Sequence, residues 1–115
     1  MKINLFIYYG TEINKVDYEN LTKKLGVHTL FADIFKVGLS IRDVGVIGES
    51  WRFIVGKEIN WTLNSVTNFN FINNELYVDG NKIQIEDEDE VRRKLISIGI
   101  TNQPSYKIFS SIEMT

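Results

Sequence analysis

A chain of 115 residues makes one domain, large enough to bury roughly two-thirds of the surface its unfolded form exposes. With 43% hydrophobic and 24% charged residues the composition excludes disorder, and a net charge of −2 at a pI near 5.4 gives no broad positive field for nucleic acid. The absence of cysteine removes disulfides, thiolate metal sites, Fe–S clusters and cysteine nucleophiles together.

Residues 2–9, KINLFIYY, form a near-continuous apolar run, as expected of a central strand. The run is too short for a signal-peptide core or a bilayer span, so a soluble, cytoplasmic protein with no membrane partner is expected. Gly10 to Lys15 reads as a loop. Asp17 then caps a short helix, Tyr18 to Leu25, with Tyr18, Leu21 and Leu25 on one side and Gly26 just past its end. His28 to Val37, HTLFADIFKV, fits either regular structure. As a strand, Leu30, Ala32 and Ile34 alternate with Phe31, Asp33 and Phe35; as a helix, Leu30-Phe31 and Ile34-Phe35 form a stripe with Val37. The paired i, i+4 apolar residues favour the helix.

Gly38, Gly45 and Gly48 punctuate an irregular piece with a short strand near Val44–Ile47. WRFIVGKEINWTL reads as a hairpin turning at Gly56-Lys57, with Trp51, Phe53 and Val55 alternating before it and Ile59, Trp61 and Leu63 after it. The next stretch, Val66 to Gly99, is the clearest in the chain. Asn73-Asn74 separates FNFI from ELYV, and Asp79-Gly80-Asn81 separates ELYV from KIQI; these residues tolerate the positive φ that primed hairpin turns need. Five consecutive acids, residues 86–90, then lead into Val91-Arg92-Arg93-Lys94, the charge order that suits a helix dipole, with Asp87 or Asp89 as N-cap. Val91, Leu95 and Ile98 fall on one stripe and Gly99 stands where a left-handed terminal residue belongs. After Pro104, Tyr106 to Ile112 is a final strand. The whole chain, 1–115, is expected to form a single α+β domain: an antiparallel β-meander sheet of about five to seven strands with two or three helices packed on one face.

Chemistry-bearing groups are few. The sole histidine, His28, stands at a helix–loop junction with no Ser or acid in a recognised catalytic arrangement, so a loop or capping role is expected. The acids 86–90 lack the alternation and central glycine of a calcium loop, so no metal or other cofactor is expected; they make a charged helix start that could face a basic partner. Residues 19–38 have a helix-turn-helix silhouette, but the second helix would present Leu30, Phe31, Asp33 and Ile34 where base edges are read by Arg, Asn or Gln. Gly45, Gly48 and Gly56 match no phosphate-binding fingerprint. The aromatic set Trp51, Phe53, Trp61, Phe69 and Phe71 has the period-2 placement of a sheet core, and Tyr77 with Tyr8 or Tyr9 is the better source of exposed contacts.

These features point to a small non-enzymatic protein-binding module. Inhibitors, immunity proteins and phage-encoded host-modulating proteins share its size, mild acidity and lack of a catalytic constellation. The contact residues expected on that basis are Glu86, Asp87, Glu88, Asp89, Arg92 and Arg93, on a charged helix beside a sheet surface. A small-molecule or nucleotide binder with a pocket lined by Trp51, Trp61 and Tyr77 is the alternative, and a homo-oligomeric assembly subunit a third. The abundance of Ile and Asn, with one Pro, is the codon signature of an AT-rich genome such as a low-GC bacterium or phage. The initial Met and short polar end are those expected of a whole gene product.

Overall fold

The computed structural model describes residues 2–25, 27–44, 52–59 and 68–113. Expectations placed on Gly26, Gly45, Gly48, Trp51, Trp61 and Leu63 lie outside the described residues, as does most of the strand expected near Val44–Ile47. Within them, strands β1 (Lys2–Ile13), β2 (Ser40–Asp43), β3 (Phe53–Ile59) and β7 (Ser105–Glu113) form one antiparallel sheet in the order β2-β3-β1-β7, while β4 (Phe69–Ile72), β5 (Glu75–Val78) and β6 (Asn81–Lys82) form a second. Helices α1 (Lys15–Leu25), α2 (Val27–Lys36) and α3 (Glu88–Ser97) complete an α+β architecture, the class the sequence implies.

The helices begin and end for local reasons. At the start of α1 the Asn14 side chain accepts the Asp17 N–H at 2.9 Å, and the Asp17 carboxylate accepts the Asn14 N–H at 3.4 Å. This reciprocal cap makes Asn14 the N-cap, so the helix starts earlier than an Asp17 cap implies. Residues 27–36 are helical, with Leu30 and Ile34 fully buried, and His28 falls in the first turn rather than in a junction. α2 and α3 stop on the same device. Gly38 and Gly99 have φ of 82° and 92°. The Leu39 N–H reaches the Ile34 carbonyl at 3.0 Å, and the Ile100 N–H reaches the Leu95 carbonyl at 2.9 Å. Both are Schellman closures that pack a buried residue beyond the glycine onto one inside the helix.

β1 is the central strand, and it runs four residues beyond Tyr9, through the segment expected as a loop. Gly56 is likewise interior to β3, not a turn. The two glycines are cross-strand partners, and the row continues to Ser40 on β2 and Ser105 on β7. A Cβ on Gly56 would overlap the Tyr9 carbonyl oxygen, and one on Gly10 the Val55 carbonyl oxygen; only glycine permits that close backbone approach. The continuous meander expected through 51–85 is therefore divided, because β3 pairs with β1 and β2 rather than with β4.

One face of the larger sheet is mainly apolar among the described side chains, with Thr11 and Lys57 among its polar members. Tyr9, Ile13 and Val55 pack with Leu30, Ile34, Val91 and Leu95 of the helices, while Ile7 packs with Leu76, Val78 and Ile83 of the small sheet. Ile59 and Tyr106 belong to both clusters, so helices and small sheet cover neighbouring parts of one face. The small sheet turns where expected, with positive φ at Asn73, Asn74, Asp79 and Gly80. Its last strand is shorter than KIQI, yet the Ile83 N–H still bonds the Leu76 carbonyl at 2.8 Å.

Gly56→Ala is expected to cost about 3 kcal/mol, because a methyl group has no space there. Gly80→Ala meets nothing within 4 Å and bears only left-handed strain, roughly 1–2 kcal/mol. Urea unfolding of the two variants checks the order; equal losses would remove the steric account of the Gly10–Gly56 pair.

Candidate functional site

Among the described strands β7 lies at one edge of the larger sheet, and an open cleft of about 830 Å³ runs beside it. Five consecutive β7 residues, Ser105, Tyr106, Lys107, Ile108 and Phe109, line this cleft. Successive strand side chains point to opposite faces, so five in a row meet one cavity only if the cavity lies along the strand's edge. The register assigns the faces. Tyr106 and Ile108 stand opposite Tyr9 and Ile7 on the apolar side, whereas Lys107 and Phe109 stand opposite Tyr8 and Phe6 on the other. The remaining wall comes from Phe71, Asn74 and Glu75 of the β4–β5 hairpin, from Lys82 to Gln84, from Glu88 at the start of α3, and from Gln103-Pro104 and Glu12.

Tyr106 fastens the wall to the sheet. Its ring lies 4.7 Å from that of Tyr9. Its hydroxyl accepts the Ile85 N–H at 2.9 Å and donates to Glu88 Oε1 at 2.5 Å. Burial, reinforced by the bond to Glu88, holds the phenol protonated well above the usual tyrosine range. On the hairpin, Lys82 Nζ donates to Glu75 Oε1 at 3.0 Å, which lowers the Glu75 carboxyl and raises the Lys82 ammonium. Glu12 pairs with Arg52 at 3.6 Å. Among the described residues Lys107 is the one charged lining group without a hydrogen-bond or ion-pair partner.

The sequence-derived contact residues divide into two groups. Asp87 is the N-cap residue of α3, but its carboxylate makes no cap bond. It turns instead to Lys57 on β3, at 2.8 Å, and that bond lowers its pKa. Glu88 is held by Tyr106. Both therefore tie α3 to the sheet. Asp89 pairs with Arg92 at 3.0 Å along the helix, and Glu86 and Arg93 are exposed. Of the six, Glu88 alone lines the cleft.

Of the aromatic alternative, Trp51 and Trp61 lie outside the described residues, and Tyr77 donates to Glu75 from the outer face of β5 without lining the cleft. Tyr8 and Tyr9, one or other of which is expected as an exposed contact, are 1% and 5% exposed, because β1 is covered on both faces at those positions. Phe69 and Phe71, expected in a core, are 44% and 49% exposed. They share a face with Leu76 and Val78, but β4 lies at the rim of the small sheet. Sequence reasoning missed Lys107, Phe109 and Tyr106 as site residues; the available signal was a lysine set among Tyr106, Ile108 and Phe109 within a strand, a common mark of a sheet edge.

Among the described residues no group of three or more His, Asp or Glu side chains is gathered as metal ligands, and no helix is long and apolar enough to cross a membrane. Comparison of the chain with protein-family models, with curated proteins and with solved structures gives no match.

Tyr106→Phe is expected to lower stability by about 1–2 kcal/mol at neutral pH, since the Ile85 N–H loses its acceptor. The native protein binds the Tyr106 proton more tightly than the unfolded chain does. Its contribution is thus intact below the unfolded pKa near 10 and declines as pH rises past it. The variant is expected to show a flatter loss of stability above that pH, measured by urea midpoints at neutral and alkaline pH; an unchanged slope would separate Tyr106 from the alkaline transition.

Proposed function

We propose that the protein is a small non-catalytic module that binds another protein, with the cleft beside β7 and the adjoining β4–β5 hairpin as its contact surface. The observation that carries this is the state of β4. Phe69, Phe71 and Ile72 are each between 44% and 49% exposed, on a strand whose four residues are all exposed. Large apolar side chains gathered on one element are the usual sign of an interaction site. Phe71 also lines the cleft, so the apolar rim and the cavity form one surface.

The chemistry of the cleft favours recognition over catalysis. Its phenol is held protonated, the carboxylate beside it is occupied by that phenol, and Glu75 and Lys82 neutralise each other. Among the described lining residues no group stands as a base next to a nucleophile, the pairing that nucleophilic catalysis requires. This is the behaviour of an inhibitor, immunity or host-modulating type of protein working in the cytoplasm. It moves the weight of the contact surface from the acidic helix start, four of whose five carboxylates are engaged in internal bonds, to the hairpin and the strand edge.

A photocrosslinking residue at position 71 is expected to capture a protein from extracts of the source cells, while one at the exposed Val16 of α1 is not. Phe71→Ala is expected to weaken binding of the captured protein by about tenfold or more, and reversal of Glu86 and Asp89 to Lys by much less. If native mass spectrometry instead finds a small molecule that leaves on denaturation, and position 71 captures nothing, the pocket function replaces this one.

A further inference from the structure

We infer that the cleft receives one extended segment of the partner protein as an added strand on β7, with apolar side chains on one of its faces and a carboxylate on the other. This rests on the protein-binding function proposed for the cleft and specifies its occupant. β7 is hydrogen-bonded to β1 along one edge and to no described strand along the other. On that free edge, alternate residues turn an N–H and a C=O outward, and an extended segment can satisfy them by strand addition. The five lining residues offer an edge of roughly 17 Å at about 3.4 Å per residue, the length of an ordinary strand.

The walls select what can occupy it. The β4–β5 hairpin end and Glu88 stand along the cleft, and Gln103-Pro104 also line it. A single strand needs only about 4.8 Å of width beyond β7, whereas a second copy would bring its own hairpin and helix against these walls. The register then assigns side chains. One face of the added strand meets Tyr106, Ile108 and Phe71 and takes apolar residues; the other meets Lys107 and Phe109. The other lining charges are already matched or hydrogen-bonded: Glu75 by Lys82, Glu12 by Arg52 and Glu88 by the Tyr106 hydroxyl. Lys107 is left without a partner among the described residues, so the complementary group is a carboxylate at one alternate position of the segment.

A displayed library of random peptides, selected on the full-length protein, supplies the probe. The selected peptides are expected to carry an acid flanked at alternate positions by apolar residues. Lys107→Glu and Phe71→Ala should each weaken the tightest of them by about tenfold or more. Methylation of successive backbone nitrogens of the peptide should abolish binding at every second position, and amide exchange should slow within residues 105–109. If peptides bind but are indifferent to backbone methylation and protect residues 86–93, strand addition is overturned while protein binding stands. It is also overturned if the protein sediments as a dimer that Lys107→Glu dissociates, since the occupant is then a second copy. If no peptide is selected and position 71 captures no protein, both fall together.

Discussion

β1 is hydrogen-bonded on both edges, to β3 from Ile7 to Ile13 and to β7 from Lys2 to Gly10, and its inward face from Ile7 to Ile13 must be covered. No helix of ten or eleven residues can do this alone, since at about 1.5 Å rise such a helix spans only some 15 Å. The chain divides the task. Three helices cover Tyr9 to Ile13, and a three-stranded sheet covers Ile7. Each buried aliphatic or aromatic side chain contributes roughly 1.5–3 kcal/mol, and both groups collect that gain from the same strand. The small sheet, little more than a short hairpin with a two-residue third strand, would be marginal alone in water and is held because Leu76 and Val78 pack with Ile7.

This dependence explains what the sequence reveals and what it conceals. The turns at Asn73-Asn74 and Asp79-Gly80 and the helix closures at Gly38 and Gly99 are set by a few adjacent residues that need positive φ, so they can be read directly. The amphipathic stripe of α3 is local as well, and Val91, Leu95 and Ile98 are buried as the spacing implies. Gly56 misleads because its reason is distant. It is glycine on account of Gly10, a residue 46 positions away in the sequence and opposite it in the sheet. Read alone it resembles a turn; paired, it is a close backbone contact. The same non-locality hides the division of the meander, since nothing within FNFI or FIVGKEI states which strand each will join.

The candidate site was legible in its materials more than in its location. Acids at 86–90 invite a reading as an exposed patch, and that holds for Glu86 and Asp89. Asp87 and Glu88, however, meet Lys57 and Tyr106, partners 30 and 18 residues away. A capping aspartate that turns from its own helix to a lysine on a strand gives up a local bond for one that fixes where the helix sits. Glu88 does the same through a phenol that also holds the Ile85 N–H. The acidic run thus positions α3 against the sheet, and the cleft beside β7 owes its wall to that anchoring. Phe69 and Phe71 could be assigned a face by alternation but not a degree of burial, which depends on whether the small sheet's rim overhangs the larger one.

The two sheet edges that flank the cleft are managed differently. β4 is short and leaves its apolar side chains exposed at the rim, whereas β7 is nine residues long and has a lysine in the middle of its lining stretch. An edge lysine discourages another sheet from pairing there, because its charge would be taken out of water opposite an unmatched strand. It does not discourage a segment that brings a carboxylate to the same position, where the charge is compensated. Under the proposed strand addition, a walled edge whose Lys107 has no partner among the described residues would reject indiscriminate pairing while leaving the backbone of Ser105 to Phe109 available to a matching strand. Stability and the proposed selectivity rest on adjacent residues here: Tyr106 holds the wall in place, and Lys107, its neighbour on the opposite face, is the residue proposed to discriminate among what can enter.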